Sequence, residues 1–393
     1  MERYFPKTLF PPLGGDTRSL LEGFPALIDR VFPLPRRFRA GLTQEVAELS
    51  RLLTSGRGER EGGYLGKPPL LSAYLRYFLP WNVYRLSRLL PALPLPLAAG
   101  DALTDLGSGP LTLPLALWIS RPDLRGLRLE FRCLDRIGAA LEAGKTLFSA
   151  LAGKDHPWII KTIRASLGAP IHGPKAALVT VVNMYNEIPG PPAPGPFADK
   201  QARLLSALAR EGGSILVVEP GIPRSGEFIT ALRGALATRD RFPLAPCPHG
   251  GPCPLPGGLI PGGRGKAKWC HFAFATEDAP GDLQALSIAA GLPKERAVLS
   301  FLLTGPLSAG APALPDSPLL VRIVSDPFPL PGAGDNGRYG RYGCSAKGLV
   351  LAAGTREKIE PWGPGTLLHL TPPSREQRDP KSGALILPAA CGV

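Results

Sequence analysis

From about Asp101 onward the chain alternates short apolar runs with helical stretches, and no other feature restricts its fold so tightly. ALTDLGSGPLTLPLALWI reads as strand, glycine turn and helix. LRLEFRCLD is a second strand ending at Asp135, followed by the helix-like RIGAALEAGKTLFSAL. AALVTVVNMYNEI reads as a buried strand opening into a polar loop; FADKQARLLSALAREG, SILVVEP and SGEFITALRGALATRD then read as helix, strand and helix. Strands separated by helices of this length do not pair as hairpins. They predict an α/β fold, an open and mainly parallel sheet with helices on its faces.

Three regions are expected. Residues 1–95 form an N-terminal helical region, in which LTQEVAELSRLL (Leu42 to Leu53) has helical periodicity with acidic residues early and Arg51 late, as the helix dipole favours. A glycine-rich basic linker, SGRGEREGGYLGK, follows, and LLSAYLRYFLPWNVYRLSRLL then gives two helical segments broken near Pro80. Its Tyr74, Tyr77, Trp81 and Tyr84 alternate with Arg76, Arg85 and Arg88, a pattern that suits base stacking and phosphate contact. The same pattern also suits helices packed on the main domain with their arginines in solvent. Residues 96–330 form the α/β domain, with a Cys-rich insertion at 240–275 and strands resuming in RAVLSFLLTG and LLVRIVSDPF. Residues 331–393 form a small β-rich appendage containing GLVLAA and TLLHLTP.

At 393 residues with 44% hydrophobic and 20% charged side chains, the chain can bury a substantial core. Its 47 glycines and 47 prolines, without a collagen-like period, predict many ordered turns and long loops. A net charge of +13 favours an anionic partner, nucleic acid ahead of an anionic membrane surface. Six cysteines in a chain this long are not a disulfide scaffold. MERYFPKTLFPPLGG lacks the apolar run of a signal peptide, and LLPALPLPLAAG is too interrupted for a membrane span. The expected address is the cytoplasm, with no membrane partner and a monomer when free.

Asp105-Leu-Gly107-Ser108-Gly109 stands at the exit of the first strand, where glycines let backbone approach a ligand. Asp135 closes the next strand and is placed to accept hydrogen bonds from two ribose hydroxyls. The geometry suits NAD or S-adenosyl-L-methionine. The third glycine of a dinucleotide fingerprint is absent and no P-loop lysine follows, which favours S-adenosyl-L-methionine, a cofactor with no pyrophosphate. Asn183, Asn186 and Glu187, in VVNMYNEIPG, lie where such a sheet presents residues to cofactor and substrate; Tyr185 is a candidate to stack on a base. That segment is not the Asn/Asp-Pro-Pro-aromatic loop of exocyclic-amine methylation, and no nucleophilic cysteine or strong catalytic base accompanies it. Cys133 reads as a buried small hydrophobe. Glu219 ends a strand, and Arg224-Ser225 open the next helix, either as an anion-receiving N-terminus or with Ser225 as an ordinary cap.

Cys247, Cys253 and Cys270 lie in CPHGGPCP and KWCHF, and Cys344 follows much later in RYGCSAKG. Four thiolates satisfy a tetrahedral zinc or a [4Fe–4S] cluster. His249 and His271 keep a mixed Cys/His zinc site open, and Trp269 and Phe272 are placed to shield a centre from water. Arg338, Arg341 and Lys347 flank Cys344, so binding there would order a basic surface for phosphate contact.

Taken together, AYLRYFLPWNVYR, TDLGSGP, NMYNEI, VEPGIPRSGEF, CPHGGPCP with KWCHF, and YGCSAKG resemble the methyltransferase-like assembly factors of the small ribosomal subunit, known from mitochondria and with bacterial homologues. The resemblance implies a Rossmann-like methyltransferase fold that binds S-adenosyl-L-methionine and a [4Fe–4S] cluster and associates with small-subunit rRNA and ribosomal proteins. On this chain the cluster ligands would be Cys247, Cys253, Cys270 and Cys344, and the cofactor site would centre on Asp105, Gly107, Gly109 and Asp135. The spacing from Cys253 to Cys270 is longer than in the mitochondrial relatives, and LPGGLIPGGRGKAK reads as an inserted loop. Two further readings stand beside an active RNA methyltransferase: a non-catalytic rRNA-binding assembly factor, and a zinc-containing methyltransferase with another substrate.

Overall fold

The computed structural model describes residues 5–54, 64–188, 194–257, 268–306, 318–331, 337–373 and 375–389. Most of the basic linker SGRGEREGGYLGK and of the inserted loop LPGGLIPGGRGKAK lies outside the described residues.

The first sheet is built from β1 (Ala102–Leu106), β2 (Glu130–Asp135), β3 (Ile159–Arg164), β4 (Ala176–Val182), β5 (Ala209–Pro220), β6 (Arg241–Ala245), β7 (Phe272–Ala275) and β8 (Arg296–Pro306). Its order is β3-β2-β1-β4-β5-β8-β6, with β7 also pairing β8. The pairs among β1 to β5 are all parallel, whereas β8 runs antiparallel to β5, β6 and β7. That order is Rossmann-like, with the strand sequence reversing between β1 and β4. The period-two alternation shows in β5: Leu216 and Val218 face one core with Phe131 and Phe301, while Ile215 and Val217 face the other with Phe228 and Leu232.

The N-terminal helices Gly15–Val31, Leu42–Leu53 and Leu79–Leu89 join the first of these cores. The helix expected over Leu42–Leu53 forms over those residues. The break expected near Pro80 does not occur. A π-helical turn over Tyr74–Phe78 leads directly into Leu79–Leu89, with Pro80 in the first turn of the latter, where a missing N–H costs least.

A second sheet contains β9 (Leu319–Ile323), β10 (Phe328–Pro329), β11 (Arg338–Ser345), β12 (Gly348–Thr355), β13 (Leu367–Leu370) and β14 (Leu385–Pro388), in the order β13-β9-β11-β12-β14 with β10 on β11. Val321, Ile323, Val350, Leu385 and Leu387 form its own small core. LLVRIVSDPF, grouped by sequence with the α/β domain, supplies β9 here and pairs with β11 and β13. The appendage thus begins before residue 331. No helix among the described residues is long and apolar enough to cross a membrane.

Candidate functional site

The strand reversal between β1 and β4 opens a cavity of about 440 Å³ at the carboxyl ends of β1, β2 and β4. Its lining includes Gly107, Ser108 and Gly109 after β1, Asp135 and Ile137 at the end of β2, Ser166 beyond β3, and Asn183 and Glu187 after β4. The glycine turn is fixed by hydrogen bonds to β2: Ser108 N–H donates to the Leu134 carbonyl at 2.9 Å, and Gly109 N–H donates to Asp135 Oδ2 at 2.9 Å. Asp135 Oδ1 accepts from Ile137 N–H at 2.8 Å. The carboxylate is therefore held at the cavity wall with lone pairs to spare for a ligand hydroxyl.

Gly107 has φ +70°, and a Cβ there would come within 2.6 Å of the Met184 side chain. Glycine is required at this point on both counts. Asp105 does not line the cavity. It lies beneath the turn, 2% exposed, and its carboxylate accepts from the Thr180 hydroxyl at 2.6 Å; burial pushes its pKa up to about 6. Its part is support of the turn, not contact with a ligand.

The loop after β4 is anchored by a residue that sequence left without a role. Glu219, 1% exposed at the end of β5, accepts hydrogen bonds from the backbone N–H of Tyr185 at 2.8 Å and of Asn186 at 3.0 Å. The Asn186 amide donates to the Asn183 carbonyl at 2.7 Å, and Asn183 itself sits at φ +55°. Tyr185, expected to stack on a base, instead packs between Phe197 and Phe228, with ring centroids at 5.9 and 4.7 Å. Asn183 and Glu187 remain at the cavity. Arg224 bonds to the Asn186 carbonyl. Ile222, not Ser225, is the N-cap of helix Pro223–Ala237, and Ser225 is buried within its first turn.

Glu219 gives the fold a pH dependence. Burial pushes its pKa from 4.5 up to about 7, so the native state holds a proton that the unfolded chain has lost. Stability then falls as pH rises through that window and levels off above it. Asp105 acts in the same direction between 3.8 and about 6. Urea midpoints measured from pH 4 to 8 are expected to decline, and Glu219→Gln is expected to remove the part of the decline above about pH 6.

The N-terminal region roofs this cavity through Leu65 and Tyr74, which sequence had not assigned to it. The remaining aromatics of the stripe are tied to the main domain: Tyr77 donates to the Leu292 carbonyl, Trp81 to Ser287 and Tyr84 to Asp278. The neighbouring arginines are likewise engaged internally, a correction to their expected contact with phosphate. Arg76 bonds Asp29, Ser72 and the Phe32 carbonyl; Arg85 bonds the Val298 carbonyl, Asn82 and Asn183. Arg88 holds both oxygens of Asp278 at 2.8 and 2.7 Å. Arg341, 4% exposed, bonds the carbonyls of Ser325, Ile359 and Glu360. Arg338 and Lys347 are exposed, Lys347 pairing with Glu376. Arg88→Met is accordingly expected to cost about 2–3 kcal/mol of stability in chemical denaturation, because it removes the charged partner of a half-buried Asp278 and leaves it the Tyr84 hydroxyl.

The four expected metal ligands interact electrostatically with one another. Cys344 on β11 lies 3.1 Å from His249 Nε2, and Thr230 donates toward Cys253 Sγ at 3.8 Å. Burial pushes the thiols of Cys247, Cys270 and Cys344 up, and neighbouring cysteines raise each further: Cys253 acts on all three, and Cys270 acts on Cys344. Among the described residues no three His, Cys, Asp or Glu groups are gathered closely enough to hold a metal ion. Cys133 is fully buried on β2, as expected of a small hydrophobe. His271 stacks on Trp269, with centroids 4.9 Å apart, and its Nδ1 faces the Trp269 carbonyl.

Sheet order, glycine turn and carboxylate-rimmed crevice define a Rossmann-like α/β protein with a cavity at its strand reversal. The family model described as mitochondrial small ribosomal subunit Rsm22 matches residues 101–327, more than half of the chain. The chain belongs to that family. No curated protein matches it in sequence. Among solved structures it is similar to an S-adenosylmethionine-dependent methyltransferase from Geobacter sulfurreducens in complex with S-adenosyl-L-homocysteine, at 11% identity and TM-score 0.33, over 66% of this chain and 98% of that one. A second, from Thiobacillus denitrificans with the same ligand, has 12% identity and TM-score 0.34 over 70% of this chain and 99% of its own. Likenesses this distant carry no argument about ligand or activity.

Proposed function

We propose that the protein is an S-adenosyl-L-methionine-binding, iron–sulfur, methyltransferase-like factor that acts on the small ribosomal subunit or its rRNA during assembly. The observation that carries this is the cavity itself: the Gly107–Gly109 turn and Asp135 meet Asn183 and Glu187 across the strand reversal, in a chain of a small-subunit family. Gly107 and Gly109 would admit the methionine end of the cofactor, Asp135 would take ribose hydroxyls, and Asn183 and Glu187 would line the acceptor side. Bound cofactor supplies an electrophilic methyl group; the protein's contribution is alignment and exclusion of water, the latter aided by Tyr74 and Leu65.

Cys247, Cys253, Cys270 and Cys344 would hold a [4Fe–4S] cluster. The chemistry of the donor set suits one: four thiols that act on one another, Cys247 and Cys344 buried and Cys253 and Cys270 partly so. Zinc with four thiolates requires sulfurs within about 4 Å of one another, whereas a cluster places each thiolate on a separate iron and asks for a wider cage.

A second reading, an rRNA-binding assembly factor that does not methylate, is favoured by the loop after β4. Glu219 and neighbouring backbone engage its Tyr185 and Asn186 internally, leaving few polar groups aimed at an acceptor. Immature small-subunit RNA incubated with labelled S-adenosyl-L-methionine separates the two. Incorporation by the wild type, lost in Gly107→Arg, supports the enzyme; tight RNA binding without incorporation in either protein supports the assembly factor. Absence of RNA binding altogether would count against both. In the same preparation, Cys253→Ser is expected to lose at least nine-tenths of the iron and acid-labile sulfide bound by the wild type.

A further inference from the structure

Two buried arginines lie beside the cysteine-bearing segments, and no carboxylate among the described residues forms an ion pair with them. Arg322, 1% exposed, is the cross-strand partner of Cys344 in the β9–β11 pair, so the two side chains leave the sheet on the same face. Its guanidinium donates to the carbonyls of Pro246 at 3.1 Å, Pro6 at 2.7 Å and Gly365 at 2.8 Å, and its Nη2 is buried with no partner among the described residues. Arg233, 6% exposed on helix Pro223–Ala237, donates to the carbonyls of His249 at 2.9 Å and Gly251 at 2.6 Å, between Cys247 and Cys253 in the chain; its Nε is also buried with no partner among the described residues.

Burying an unpaired guanidinium is costly, and these two are held by backbone carbonyls, which carry no net charge. The groups that favour the charged form of Arg322 are Cys247 and Cys344; for Arg233 they are Cys247, Cys253 and Cys344. Four thiolates on a doubly positive iron–sulfur core leave two negative charges, the number that two guanidinium groups cancel.

We propose that Arg233 and Arg322 are the built-in counter-charges of the thiolate cage, positioning residues that donate N–H to its sulfurs and raise the reduction potential of the centre. This rests on the iron–sulfur reading above. Arg322 also joins the cage to the chain near Pro6 and to the second sheet, so the same residue that balances the charge ties three parts of the chain together.

The test uses the full chain purified without oxygen. Iron and sulfide per chain, thermal unfolding and the midpoint potential against dithionite are measured for the wild type, Arg233→Gln, Arg322→Gln, and the charge-keeping Arg233→Lys and Arg322→Lys. Removing one positive charge disfavours the added electron, so each glutamine variant is expected to shift the reduced-to-oxidised ratio about tenfold toward oxidised, about 59 mV for a one-electron couple. The lysine variants are expected to stay within about threefold of wild type. Should Arg322→Gln lose cooperative unfolding, Arg233→Gln, which gives up fewer backbone bonds, decides the matter. Glutamine variants with the wild-type potential overturn the counter-charge and leave the cluster standing. A wild type without iron and sulfide overturns the cluster, and the counter-charge with it.

Discussion

Gly144→Leu is expected to unfold the cavity side of the molecule, costing at least about 3 kcal/mol in urea denaturation. Gly144 lies in helix Gly138–Ala152, and a Cβ there would meet the carbonyl carbon of Pro110 at 2.3 Å and its oxygen at 2.5 Å. These are backbone atoms of the turn that follows Gly109, so no rotamer change relieves the clash. Either the helix retreats from the sheet or the turn leaves the cavity. The neighbouring Leu111, at φ +57° and fully buried, leaves the turn little room to adjust. The variant should therefore lose stability and ligand binding together. Gly109→Ala, a substitution into open space at φ +51°, should cost no more than about 1–2 kcal/mol.

Glu219→Ala is expected to be almost as severe, at about 2–5 kcal/mol, because it leaves the N–H groups of Tyr185 and Asn186 without their carboxylate acceptors in a buried setting. It differs from Gly144→Leu in where the damage falls. The sheet and its cores remain, while Asn183 loses the anchored loop that holds it in a left-handed conformation. Glu219→Gln keeps one acceptor oxygen and should recover at least half of the lost stability. Denaturation curves for the three proteins at about pH 8.5, more than a unit above the pKa of about 7 for Glu219, check this with its carboxylate ionised.

Much of the sheet was legible because buried parallel strands are written as apolar runs. β1, β2, β4 and β8 fall where LTDL, EFRCLD, AALVTVV and RAVLSFLLTG place them, and β5 contains SILVVEP but begins at Ala209, within the stretch read as helix. β3 did not stand out: IIKTIR is an edge strand, half polar, with an exposed residue at every other position early in the strand. LLVRI was recognisable as a strand, but no local pattern says which sheet a strand joins. Pro80 suggested a break because the widened π turn before it depends on packing, not on local preference.

The site divides along similar lines. The glycine turn and Asp135 were readable because a ligand-binding backbone needs particular residues at particular points of a strand–turn–helix. The arginines were misread for the opposite reason. Arg76, Arg85, Arg88 and Arg341 carry the same charge in sequence whether the guanidinium meets phosphate or a carbonyl, and here each meets internal partners. Glu219, Gly144 and Arg322 act through contacts distant in sequence, so only their residue types were visible. One signal did exist: an apolar strand such as SILVVEP ending in a carboxylate implies a buried partner for it.

The most direct test of the central claim is calorimetric titration of the purified protein with S-adenosyl-L-homocysteine, beside Gly107→Val. A single site on the wild type, weakened at least about a hundredfold in Gly107→Val while both proteins unfold cooperatively, is the result expected of a cofactor cavity at this turn. A wild type that binds no S-adenosyl-L-homocysteine, or a Gly107→Val variant that binds it as tightly, would contradict the assignment.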